Sequence, residues 1–375
     1  MNDYATALGA PWAIALLALA STPLWIGLLW LHTRFWTGRI RLRLPYAHQE
    51  TLQAPDGGQC ELRRITVESS SRQLNAPPVL LVHGVCANHR NQDIHPDHSV
   101  ARYLAERGRD VWLLTLRCGV QPRWLGRRVP MGFDTMVRHD LPLALERIAA
   151  HTGAKSLDYV AFSMGGMLLF AALGKTIPDT SIRRAVFVGS PGRIVSHFPV
   201  PRFLRRLPTW LVPRLPSGLG ARVFAFLSEW VVTPLHRQIV NPTNVASGIT
   251  RLALVDCVQD VPGDLVADFI RWAADGGVIR QHGEDILHGI RQAKQPALFV
   301  AGAVDRVGPV SAVRAGYDAW GSGLPVVAKR FVVLGRESGA VADYGHGDLA
   351  MGARVHEELH PAIEEFLAVE VRVEG

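Results

Sequence analysis

The chain has 375 residues, enough for one large α/β domain with an insertion or for two smaller domains. Its 40 basic and 33 acidic side chains give a net charge of +7, and the excess is nearly all arginine. Neither an aromatic RNP motif nor zinc-finger spacing accompanies this charge, which argues against nucleic acid and favours an anionic membrane surface as partner. The four cysteines form no metal-ligand pattern and are typical of buried thiols in a reducing compartment, with a disulfide left open.

The N-terminal region predicts a membrane anchor. Residues 12–31 are almost entirely apolar and are long enough to cross a bilayer as a helix. No Lys or Arg precedes this run, which argues against a cleavable signal peptide, and Arg34, Arg39, Arg41 and Arg43 follow it. By the positive-inside rule we predict a single-pass anchor with a basic flank over residues 1–45, in the cytoplasmic membrane, with the main domain on the cytoplasmic side. The alternative is a buried helix that covers the main domain.

Short apolar strands alternate with helical segments through most of the remaining chain. Two extended segments are predicted within residues 50–67, and further strands at 79–82, 110–116, 160–162, 184–189, 296–302 and 328–334. Helices are predicted at 99–107, 133–150, 167–173 and 355–368, with Pro142 expected to kink the second or to begin a new first turn. This alternation predicts an α/β fold with a mostly parallel central sheet and helices on both faces.

The segment LDYVAFSMGGMLLFAA, residues 157–172, joins an apolar strand to an apolar helix through small residues. A serine on such a tight turn is lifted clear of the sheet, the arrangement of the nucleophile elbow G-x-S-x-G, with Ala161 here in place of the first glycine. We predict that Ser163 is a catalytic nucleophile. The alternative is a chance small-residue turn, which is common in α/β proteins.

The alternation of strands and helices stops over residues 192–290, which predicts an inserted cap. Prolines, arginines and large aromatic residues crowd residues 192–244, where Glu229 is the one acidic residue. We predict a helical cap between the two parts of the core, residues 46–191 and 291–375, whose short amphipathic helices lie against a membrane. An ordinary cap with arginines facing water is an equal alternative.

A serine nucleophile needs a base, an orienting acid and donors for the oxyanion. Asp305 directly follows a predicted strand and is the predicted acid, and His346, between two glycines on a loop, is the predicted base. The predicted oxyanion donors are the backbone amides of Val85 and Met164, assigned by position alone. Asp343 and Asp348 compete for the role of acid, and His356 and His360, expected on a solvated helix face, compete for the role of base.

These residues resemble the α/β-hydrolase superfamily, and among its members the acid lipases and the catalytic domain of polyhydroxyalkanoate synthases. The resemblance covers residues from about 50 to the C-terminus. It includes the motifs PDGG at 55–58, DVWL at 110–113, HDLP at 139–142 and DYGHGD at 343–348. Two departures are Arg117-Cys118-Gly119, where lipases carry Ser-Arg-Gly, and Ser163, where polymer synthases use cysteine.

The resemblance and the candidate triad together predict a membrane-associated serine hydrolase that cleaves acyl esters, with lipid-like substrates, through Ser163, His346 and Asp305. No metal or organic cofactor is expected. Acyl transfer by the same residues, and a catalytically silent protein that binds a lipid or a partner, remain the alternatives.

Overall fold

A computed structural model describes residues 3–65, 76–120, 129–196, 199–206 and 208–369, with the side chains of residues 3–14, 16, 17 and 235 excepted. In the predicted membrane span, the side chains of residues 12–14, 16 and 17 lie outside the description, and so does Phe198 of the predicted cap.

Eight strands form one sheet in the spatial order β1-β2-β4-β3-β5-β6-β9-β10. Their bounds are β1 (His48–Gln53), β2 (Gln59–Arg64), β3 (Val79–Val82), β4 (Val111–Thr115), β5 (Leu157–Phe162), β6 (Ile182–Val188), β9 (Ala297–Gly302) and β10 (Lys329–Leu334). Within this sheet β2 is antiparallel to both of its neighbours, β1 and β4, and every other neighbouring pair is parallel. The predicted mostly parallel sheet is therefore confirmed.

Helices cover both faces of the sheet, which is why β3, β5 and β9 are buried along their whole length. The N-terminal helix is α1 (Asp3–Ile40), and the helices that follow as far as β6 are α2 (Val100–Glu106), α3 (Phe133–Thr135), α4 (Leu141–Thr152) and α5 (Met164–Ala172). One core layer packs α4 and α5 on the sheet, and the other packs α2 and the C-terminal helices on the opposite face.

The helix predicted at residues 133–150 is interrupted. A π-helical turn, Met136–Asp140, lies between α3 and α4, and Pro142 occupies the first turn of α4. Because proline has no amide proton to donate to the preceding turn, the chain widens there before the regular helix resumes.

The described residues between β6 and β9 contain five α-helices where the cap was predicted. They are α6 (Ser217–Phe224), α7 (Pro234–Ile239), α8 (Ile249–Leu252), α9 (Gly263–Ala274) and α10 (Ile286–Gly289), with a small hairpin of β7 (Arg280–Gln281) and β8 (Glu284–Asp285) before α10. After β9 come α11 (Val310–Ala319), α12 (Asp348–Met351), α13 (Val355–Glu358) and α14 (His360–Ala368), which close the core.

The N-terminal helix α1 packs on the segment between β6 and β9, where the cap was predicted. Trp36 stacks on Phe226 with ring centroids 5.4 Å apart, and His32 Nε2 lies 3.0 Å from the Val223 carbonyl oxygen. Among the residues whose side chains the structure describes, no helix combines the length and the apolar character that a membrane span needs. Within the described part of α1 the apolar run is interrupted by Ser21, Thr22 and Pro23. The predicted single-pass anchor is therefore not supported.

Candidate active site

Ser163 occupies the sharp turn between β5 and α5. Its φ of 52° and ψ of −118° lie outside the regions that non-glycine residues favour. The surrounding sheet holds this conformation, because the Ser163 amide donates to the Val188 carbonyl at 2.9 Å on the neighbouring strand β6. Strained residues of this kind cluster at functional sites, where the surrounding fold keeps them in place.

Close packing around this turn explains its small residues. A Cβ at position 165 would lie 2.4 Å from the Val82 carbonyl oxygen, and one at position 166 would lie 2.4 Å from Ser190 Oγ. At position 161, where the elbow pattern has glycine, the fold accommodates a methyl group, since Ala161 is fully buried in β5 between Val82 and Phe187.

The structure brings Ser163, His346 and Asp305 together in one hydrogen-bonded chain. His346 Nε2 lies 3.0 Å from Ser163 Oγ, and His346 Nδ1 lies 2.7 Å from Asp305 Oδ2. Asp305 and His346 are separated by 41 positions in the sequence, and His346 and Ser163 by 183. The three residues therefore meet through the fold, beyond the carboxyl ends of the strands, and not through local sequence. All three residues are buried.

The Asp305 carboxylate is held by backbone amides on the side away from His346. Val307 and Gly308 donate to its Oδ1 at 2.8 and 2.7 Å. These two donors satisfy one oxygen, so the other oxygen is left for the imidazole. The contact favours the tautomer with its proton on Nδ1, which leaves the Nε2 lone pair directed at the serine hydroxyl.

Val85 and Met164, whose amides were predicted as oxyanion donors, both lie beside Ser163. Met164 is the next residue and begins α5, and Val85 follows Gly84, where a Cβ would lie 3.0 Å from the Ser163 Cβ. The backbone of residue 84 thus lies close to the serine, and a side chain at this position would make a tight contact with it.

His83 fixes the peptide group that carries the Val85 amide, a role that the sequence reasoning missed. The Leu116 amide donates to His83 Nε2 at 3.0 Å, so the ring proton lies on Nδ1 and is donated to the Gly84 carbonyl at 2.7 Å. Because that carbonyl and the Val85 N–H belong to one trans peptide, they point in opposite directions. Complete burial lowers the pKa of His83 to about 4 and keeps the imidazole neutral.

Asp348 organises the loop that carries His346. Its carboxylate accepts the Gly345 amide at 2.9 Å and the Asn241 amide at 3.0 Å, which joins the histidine loop to the segment between β6 and β9. Burial raises the pKa of Asp348 to about 6, against the opposing effect of these donors.

The other competing residues lie away from the hydrogen-bonded chain. Asp343 accepts the Arg336 amide at 2.9 Å, and His356 is exposed beside Glu357. The expectation that His360 faces solvent is wrong: it is buried against Tyr103, with ring centroids 5.3 Å apart, and burial lowers its pKa to about 3. The four-residue spacing of His356 and His360 predicted that both lie on one face of a single helix. The chain instead turns between α13 and α14.

Arg117, which belongs to one of the two departures from the lipase pattern, forms a buried ion pair that the sequence reasoning also missed. Arg117 donates through its backbone amide and through Nε to the Asp140 carboxylate, both at 2.8 Å, and its guanidinium also binds Asp56. Burial raises the pKa of Asp140, although Arg117 opposes this effect. The PDGG and HDLP motifs are thus joined in space through one arginine.

A family model described as the alpha/beta hydrolase fold matches residues 77–335, more than half of the chain. The chain belongs to the α/β-hydrolase family. The predicted likeness to lipases is confirmed by human gastric triacylglycerol lipase, which is 32% identical over 145 residues, 35% of this chain and 35% of the relative. The chain therefore spans about a third of the length of this curated relative.

Solved structures support the same fold at low sequence identity. An esterase from Thermogutta terrifontis matches with a TM-score of 0.56 and 18% identity, over 86% of this chain and 98% of the esterase. A bacterial membrane phospholipase A matches with a TM-score of 0.52 and 16% identity, over 98% of each chain. At these identities the likeness shows the α/β-hydrolase fold alone.

Proposed function

We propose that this α/β-hydrolase cleaves carboxylic esters with Ser163 as nucleophile. The observation that carries the proposal is the continuous hydrogen-bonded chain from Ser163 Oγ through His346 to Asp305, with distances of 3.0 and 2.7 Å. The strained turn at Ser163 and the likeness to lipases support it.

In the proposed first step, Ser163 Oγ attacks the ester carbonyl carbon while His346 Nε2 takes the hydroxyl proton. The imidazolium then returns this proton to the oxygen of the leaving alcohol, and the acyl group stays on the serine. Water attacks the acyl-enzyme in the second half of the reaction, again with His346 as base, and releases the carboxylic acid. Asp305 keeps the imidazole in the required tautomer and stabilises its positive charge.

The amides of Val85 and Met164 are the proposed donors to the oxyanion that forms at the carbonyl oxygen. A donor of this kind contributes about 3 kcal/mol to stabilising the transition state. His83 serves as a positioning residue, because its bond to the Gly84 carbonyl orients the Val85 amide.

We further propose that the substrates are lipid-like and that the cap and α1 dock on an anionic lipid surface. The described part of α1 exposes Trp25 and Trp30, and the cap exposes Trp210 and Trp230, each with more than half of its surface accessible. Arg34 lies 5.5 Å from the centroid of the Trp30 ring, which pairs a cationic group with an interfacial aromatic side chain.

Lipid docking predicts that the protein floats with vesicles that contain phosphatidylglycerol and less with pure phosphatidylcholine vesicles, and that salt weakens the binding. Trp210→Ser and Trp230→Ser together should reduce flotation, whereas Val326→Ser, at an exposed position before β10, should not. Equal flotation of all variants, or none of the wild type, would rule out this surface.

The proposed chemistry is tested by hydrolysis of p-nitrophenyl esters of increasing acyl length, with wild type beside Ser163→Ala. Turnover that disappears in the variant supports an ester hydrolase, and a rise in kcat/KM with chain length supports apolar acyl groups. Products from an added alcohol acceptor would favour acyl transfer by the same serine. Lipid binding without any turnover would favour a silent binding protein.

A further inference from the structure

A second cluster of reactive side chains lies at the opposite end of the strands from Ser163. His48 and Glu50 stand on the same side of β1, two residues apart, and His151 lies in the last turn of α4. β1 runs in the same direction as β4, because each is antiparallel to β2, and His48 is level with Trp112 at the start of β4. Ser163 follows the carboxyl end of β5, so the two sites lie at opposite ends of the strands.

The three side chains have the separations of metal ligands. One carboxylate oxygen and one ring nitrogen from each histidine all lie within 4.8 Å of one another. His48 Nε2 is 3.3 Å and His151 Nε2 is 3.1 Å from Glu50 Oε1. Ligands about 2.1 Å from a tetrahedral zinc ion are separated by roughly 3.4 Å, so a small movement would place all three around one ion.

The surroundings of the cluster favour ligation over a simple ion pair. His48 Nε2 is shielded from solvent and makes no hydrogen bond to any described residue, although it lies near the Glu50 carboxylate. Arg147 Nε lies 3.3 Å from the other carboxylate oxygen, Oε2, and so holds Glu50 with Oε1 turned toward both rings. The buried Trp112 ring packs near both imidazoles, with centroids 6.3 Å from His48 and 5.4 Å from His151.

We propose that His48, Glu50 and His151 bind one divalent ion of the zinc class, with water completing the coordination. Two imidazoles and one carboxylate suit such an ion better than magnesium or calcium, which prefer oxygen ligands. The ion would join the edge strand β1 to the end of α4. The ion would take no part in ester chemistry, because it lies at the opposite end of the strands from Ser163.

The test is calorimetric titration of the full-length, EDTA-treated protein with ZnCl₂ at pH 7.5. We expect one equivalent to bind and the melting temperature to rise with zinc. His151→Ala and Glu50→Gln should each weaken binding at least about tenfold. His282→Ala is the matched control, because His282 is an exposed histidine paired with a single carboxylate, Asp134, at 2.7 Å.

The variants should keep the far-ultraviolet spectrum and the metal-free melting temperature of the wild type, which separates ligand loss from misfolding. Ester hydrolysis should be unchanged in His151→Ala, so failure of the zinc proposal and failure of the proposed function are distinguishable. Absence of binding, or binding that persists equally in both ligand variants, would overturn the proposal and leave an ion pair between Glu50 and the histidines.

Discussion

Among single residues, the proposed chemistry depends most on how the Asp305 carboxylate is held. One oxygen of the Asp305 carboxylate accepts two backbone amides, which hold the carboxylate in place, and the other contacts the imidazole of His346 and orients the ring. A change that keeps the shape of this side chain but removes its charge therefore tests tautomer control without disturbing the fold.

Asp305→Asn should lower kcat by about 10⁴-fold, because the asparagine amide would donate to Nδ1 and move the ring proton to Nε2. The amides of Val307 and Gly308 would still find an acceptor, so the melting temperature should change little. Steady-state kinetics with a p-nitrophenyl ester measures this loss. More than a tenth of wild-type turnover would contradict the proposed role of Asp305.

Asp343→Asn is the control for that variant, since Asp343 competed for the same role in the sequence. Its carboxylate accepts the Arg336 amide, which an asparagine oxygen can also do. Turnover should stay within about twofold of wild type.

Residues that carry a local signal could be predicted at this scale. Ser163 stands out because it lies between an apolar strand and an apolar helix, next to Gly165 and Gly166. Asp305 stands out because it follows a strand, and His346 because it lies between two glycines on a loop. Their catalytic roles stay predictions. The contacts of His83 with Leu116 and of Asp348 with Asn241 could not be predicted, because both partners are backbone amides, which leave no side-chain pattern in the sequence. The burial of His360 was missed because exposure of a helix face depends on what packs against it.

At the scale of elements, the strand and helix order followed from apolar runs and turn residues. The sheet order and the two antiparallel pairs depend on long-range pairing, which apolar runs alone do not encode. The N-terminal helix was predicted, but the contact of its Trp36 with Phe226, in the segment between β6 and β9, was not. The buried pair of Arg117 and Asp140 joins the loop after β4 to the π-helical turn before α4.

Asp140→Ala should lower the free energy of unfolding by about 3–5 kcal/mol, because it leaves part of the buried Arg117 charge uncompensated. Urea denaturation followed by circular dichroism measures the change. Glu106→Ala, at the exposed end of α2, is the control and should stay within about 0.5 kcal/mol. A loss below about 1 kcal/mol for Asp140→Ala would show that the pair contributes little.

At the scale of the whole molecule, buried histidines couple stability to pH. Burial lowers the pKa of His360 to about 3 in the folded chain, whereas an unfolded histidine titrates near 6.5. The unfolded state therefore binds a proton first as the pH falls, so this stability is fully present above about pH 6.5 and declines toward pH 3. Carboxyl groups with raised pKa values, such as Asp348, act in the opposite direction.

His360→Leu should remove this coupling. Between pH 7.5 and 5.0 the variant should lose about 2 kcal/mol less stability than wild type, while the carboxyl contributions stay the same in both proteins. Parallel stability curves for wild type and His360→Leu, from urea titrations at both pH values, would contradict the burial of His360 as a neutral group.

The most direct test of the central claim is labelling of the purified protein by a fluorophosphonate, with wild type beside Ser163→Ala. An activated serine should form a phosphonyl adduct in the wild type at position 163, found by peptide mass spectrometry, and the variant should stay unlabelled with an unchanged melting temperature. Equal labelling of both proteins would place the reactive serine elsewhere. No labelling of the folded wild type, with lipid vesicles present, would contradict the proposed hydrolase.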